Sequence, residues 1–184
     1  MPLNNESERG KAPTVAQRFA GFAECHILYS LISCPVLFAL CWIPIDSMFI
    51  TVGVVILLLL LYFPLGKLKA SFSSWAAPRV LQEKVLAVLL PTIVAWIWVL
   101  VVLVSVMSEM PDLFMVVFAG SFLFALPSSL FVVTLFALLP SASFTMGIGV
   151  WGLVAGFLPP LLFALGSFVQ SEKREKGREW LENG

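Results

Sequence analysis

Residues 66–84, GKLKASFSSWAAPRVLQEK, form the only long polar segment between the two ends of the chain. The apolar runs on either side of it are long enough to read as membrane. The segment carries Lys67, Lys69, Arg79 and Lys84 against the single acid Glu83. Basic residues in a short loop beside a span are retained on the cytoplasmic side, so these four are expected to set the topology. Leu68, Phe72 and Trp75 recur at i, i+4 and i+7, with Lys67, Ser71 and Ser74 opposite, until Pro78. That pattern predicts a short amphipathic helix resting on anionic headgroups, with a docking surface for a soluble partner as the alternative.

Composition agrees with a membrane protein. Hydrophobic residues are 60% of the 184 and charged residues 12%; soluble domains carry roughly twice that charged fraction. Lys+Arg and Asp+Glu are equal at 11 each, which does not suit nucleic acid as a partner. Cys25, Cys34 and Cys41 are an odd number in or beside one apolar run, so they read as reduced thiols rather than a disulfide framework.

Outward from the loop, the fold expected is an all-α, polytopic bundle of about five transmembrane helices. The spans fall at 26–43, 47–64, 85–107, 113–140 and 146–169, between a polar tail at 1–25 and a charged tail at 170–184. In the first tail Thr14 and Gln17 have the spacing of a helix-capping box. Val15, Phe19 and Phe22 follow on one face, which fits either an interfacial helix or an extension of the first span. Pro44-Ile45-Asp46 is so short that the first two spans form a hairpin. Trp96 and Trp98 lie near the centre of the third span on nearly opposite faces, so at least one is expected to meet another helix. The turn after it, 108–112, is acidic without a basic residue.

The segment 113–140 is too long for a straight span and is interrupted by Pro127-Ser128-Ser129. Five crossings put seven basic residues inside and four outside, whereas an even number puts all 11 inside. The alternative to five spans is therefore four plus a re-entrant hairpin at 113–140, tolerated where protein or water covers the backbone. The fifth run carries Gly152 and Gly156, spaced for close helix packing. It also holds Pro159-Pro160, a second break that, paired with the one at Pro127, Ser128 and Ser129, would mark a mid-membrane polar site in a transporter. In the last tail bases and acids alternate, as on a solvated helix.

The chemistry is thin. No span carries an acid or base well inside the core, and Cys34 and Cys41 stand roughly 10 Å apart along a helix, too far for one ion. No metal site, cofactor or catalytic group is expected, and the chain is not expected to be an enzyme. The function expected is binding: an accessory, regulatory or inhibitory partner, of the immunity or exclusion type, of a larger membrane assembly. Its partners would be the lipid bilayer and another membrane protein or a second copy, by default in a bacterial inner membrane. The alternative is a transporter or channel subunit for a neutral or apolar solute.

Overall fold

The computed structural model describes residues 13–40, 48–73, 78, 81–107 and 144–183. Within them the chain forms five helices: α1 (Val15–Leu40), α2 (Met48–Leu60), α3 (Tyr62–Ser73), α4 (Leu81–Met107) and α5 (Phe144–Asn183). Three stretches are long and apolar enough to cross a membrane: Val15–Val36, Ile56–Ser73 and Leu81–Val101. The expected spans at 113–140 and the hinge at 44–46 lie outside the described residues.

The start of α1 follows from its first residues. Thr14 N–H donates to Gln17 Oε1 at 2.9 Å, and Gln17 N–H donates back to Thr14 Oγ1 at 3.3 Å, a closed capping box. From there the helix is unbroken, so the stretch before residue 26 is continuous with the helix of the first expected span. This shifts the first candidate span toward the N-terminus of its expected bounds.

The second expected span is shifted the other way. Pro64 does not end a helix here. Pro64 has no N–H to return to Leu60, which marks the seam between α2 and α3 at Leu61. Backbone hydrogen bonds cross that seam, from Leu61 N–H to Leu57 O and from Leu65 N–H to Leu61 O, each 3.1 Å. Residues 66–73, expected to open a polar loop, are therefore the last turns of an apolar helix. Leu68 and Phe72, expected on a short amphipathic helix, lie on α3, and Trp75, the third residue of that pattern, lies outside the described residues.

Pairings between side chains fix how the helices run. Glu24 meets Lys69, His26 meets Tyr62 and Tyr29 meets Leu58, so α1 is antiparallel to α2–α3. Gly156 lies against Ala95 and Trp96 while Glu172 meets Lys84, so α4 is antiparallel to α5. Helices α3 and α5 run parallel, with Gly66 against Phe163 and Ser167, and Ala70 and Ser71 against Arg174. The core is Phe22, Tyr29, Leu58, Tyr62 and Phe163, where α1, α2, α3 and α5 meet. Outside it, Leu28, Leu31 and Ile32 on α1 and Ile93, Ile97 and Leu100 on α4 remain exposed. Apolar surface of that extent belongs against lipid or another apolar surface.

One end of the bundle gathers the charges. Lys69 Nζ stands 2.6 Å from Glu24 Oε2, and Lys84 Nζ stands 3.5 Å from Glu172 Oε1. Arg18, buried near the start of α1, lies 6.0 Å from the centre of the Phe168 ring and within electrostatic reach of Glu83. The Arg174 guanidinium donates to the carbonyls of Ala70 (3.0 Å) and Ser71. It thereby serves the orphan carbonyls at the C-terminal end of α3, where a cation also suits the helix dipole.

Candidate functional site

Among the described residues, a buried polar cluster lies just beneath that charged end. Tyr62, with no exposed surface, places its hydroxyl 2.7 Å from Nδ1 of His26, the single histidine of the chain. With the imidazole proton on Nε2 the tyrosine donates; the other tautomer reverses the bond. Tyr29 O–H donates across the same interface to the carbonyl of Leu58 at 2.7 Å. Ser33 Oγ donates to Tyr29 O at 2.7 Å, one turn back along its own helix. Ser30, fully buried beside Tyr62, makes no hydrogen bond of normal geometry through its hydroxyl among the described residues.

Aromatic rings seal this cluster. Phe22 stacks on His26 with centroids 5.3 Å apart and meets Phe163 edge-on at 5.4 Å. Tyr29 and Tyr62 meet edge-on at 5.0 Å. Such pairs bring burial and ring electrostatics together. The arrangement ties three helices by polar bonds within apolar packing, which in a membrane is worth roughly 1 kcal/mol per interhelical bond.

Beside it, α3 and α5 touch backbone to backbone. A Cβ built on Gly66 would run into the carbonyl oxygen of Phe163 and lie 3.0 Å from Ser167 N. One built on Gly166 would run into the carbonyl oxygen of Phe63 and lie 3.2 Å from Lys67 N. The contact is reciprocal, and its residues repeat: Phe63-Pro64-Leu65-Gly66 on one helix, Phe163-Ala164-Leu165-Gly166 on the other. Each glycine sits where its partner helix presents the same pattern. Tyr62, Gly66 and Ala70 make the buried stripe of α3, and Phe163, Ser167 and Ser171 answer on α5.

The residues singled out from sequence distribute as follows. Gly156 is buried against Trp96, whose Cδ1 would lie 2.9 Å from a Cβ there, and against Ala95. Trp96 is thus a central tryptophan that meets another helix. Gly152 lies one turn earlier in α5. Pro159 and Pro160 are both buried within α5, whereas Pro127, Ser128 and Ser129 lie outside the described residues. Pro91 and Thr92 on α4 are buried as well. By the register of Gly156 on Ala95 and Glu172 on Lys84, they stand level with Pro159-Pro160. Thr92 Oγ1 donates to Val88 O at 2.8 Å on its own helix.

Of the four basic residues expected to set topology, Lys69 and Lys84 form ion pairs. Lys67 lies 4.6 Å from the centre of the Phe63 ring, and Arg79 lies outside the described residues. Among the described residues no three His, Cys, Asp or Glu side chains converge as a metal site would require. The tyrosine–histidine cluster and the Gly66–Gly166 crossing were not anticipated. Compared with protein-family models, curated proteins and solved structures, the chain matches none.

Proposed function

We propose that this chain is a small multi-pass membrane protein that acts by binding, as an accessory or regulatory partner of a larger membrane assembly. The observation that carries this reading is the backbone-to-backbone contact of α3 and α5 at Gly66 and Gly166. Helices that close leave no solute path between that pair, and the exposed apolar faces on α1 and α4 are suited to packing against another membrane protein. A neutral-solute transporter would instead use breaks near Pro91 and Pro159-Pro160 as its site; those prolines are buried, and each helix runs on through them. The test is purification in mild detergent. Migration with a fixed larger partner supports the binding reading. A protein that runs alone and carries a neutral solute into vesicles overturns it.

The topology proposed with it has an even number of crossings, with the N-terminal tail, the 74–80 connection and the end of α5 on the cytoplasmic side. The parallel run of α3 and α5, and the ion pair from Lys84 to Glu172, support it. The membrane proposed is the bacterial inner membrane, on the basis of the short connections and the basic residues gathered at one end.

A further inference from the structure

Helix α5 is 40 residues long, about 60 Å at 1.5 Å per residue, roughly twice the ~30 Å of a bilayer core. Its last third is the charged stretch after Val169. On the core side this extension is anchored, through Arg174 to the end of α3 and through Glu172 to Lys84. Turned well away from Arg174, and with Glu172 one turn from Lys176 at its edge, Val169, Lys173, Lys176 and Trp180 follow at i, i+4, i+7 and i+11, one narrow stripe. All four are exposed, Trp180 at 77%, and the stripe continues from Leu165, itself exposed on the outer face. The acids Glu172, Glu175 and Glu179 follow the neighbouring stripe.

We propose that this extension rests on anionic lipid headgroups through Lys173, Lys176 and Trp180. The inference builds on the membrane reading above. Residues 144–169 span about 39 Å, longer than the ~30 Å core, so the helix tilts and its extension leaves the membrane obliquely. The stripe is exposed along its length and continues the exposed Leu165, turned from the face that Arg174 presents to α3, so it overlooks the lipid around the bundle. Lysines beside an anionic leaflet are drawn to it, two of them by roughly 30-fold in population. Tryptophan favours the same level, its ring among the acyl boundary and its N–H wet. A soluble acidic partner is the competing occupant; continuity with Leu165 and Val169 favours lipid.

The test uses the full chain in nanodiscs of phosphatidylcholine alone or rich in phosphatidylglycerol. The difference in tryptophan emission between the intact protein and Trp180→Phe isolates the one indole. Acrylamide quenching of Trp180 is expected to fall roughly threefold in the anionic discs and to return in Lys173→Gln/Lys176→Gln. Equal, strong quenching in both lipids overturns the proposal and leaves the stripe to a soluble protein. Equal shielding in both, or shielding that survives the double substitution, also overturns it by placing Trp180 against protein. Failure of the chain to enter nanodiscs at all would instead sink the membrane reading.

Discussion

Gly66 and Gly166 each lack the one atom that would hold α3 and α5 apart. Gly66→Ala puts a methyl group into the Phe163 carbonyl, and the helices must separate to admit it. Overpacking of that kind costs about 1–3 kcal/mol, and here the neighbour is backbone, which cannot rotate away. Gly53→Ala is the control, because nothing lies within 4 Å of its Cβ position and alanine favours the helix. Denaturation in mixed micelles should show Gly66→Ala and Gly166→Ala destabilised and Gly53→Ala unchanged or slightly better; equal midpoints for all three would refute the close crossing. Tyr62→Phe leaves His26 Nδ1 without its buried partner and should cost about 1 kcal/mol by the same measurement. The glycine pair was hidden in the sequence for a physical reason. Close-packing patterns are sought as two small residues four apart in an apolar run, which selects Gly152 and Gly156. Gly66 stands four before Ala70 but at the head of a stretch whose lysines read as loop.

Among the elements, α3 shows how a charged segment can remain helix. Its lysines have partners within the bundle. Lys69 has Glu24 on α1, and Lys67 has the face of Phe63. The helix then ends against Arg174, which serves the carbonyls of Ala70 and Ser71. Arg174→Gln shortens the reach and removes the charge, so the last turn of α3 should fray, at a cost of about 1–2 kcal/mol. Hydrogen exchange at residues 70–73 would read it; protection there equal to that of the intact protein would show that the guanidinium contributes nothing. The start of α1 was legible because Thr14 and Gln17 form a local box. The extents of α1 and α3 are not, since charges such as Arg18, Glu24 and Lys69 suit an aqueous segment when read in sequence, while their partners lie on other helices. Apolar run length locates a helix well; its ends are decided by pairings between segments distant in sequence.

At the scale of the whole molecule the question is on which side each end lies. Apolar runs alone leave it open, because 113–140 can be read as one kinked span or as two short arms, and those residues lie outside the described part. The helices flanking that stretch bear on it nevertheless. Gly156 is level with Ala95 and Trp96, and Glu172 with Lys84, so by the same register the end of α4 stands beside the start of α5. With Met107 and Phe144 at the same end of the bundle, the proposed topology has an even number of crossings. The proposed topology then gathers all 11 basic residues on one side, the arrangement favoured by retention of lysine and arginine in the cytoplasm. Paired reporters decide it. A phosphatase active only outside the cytoplasm, fused after Lys69 and, separately, after Gly177, should be silent in both positions, with a cytoplasm-active reporter bright in both. A silent fusion after Lys69 with an active one after Gly177 would restore five crossings. It would also mean that Arg174 cannot reach Ser71 in the membrane, so the Arg174→Gln exchange measurement should fail with it.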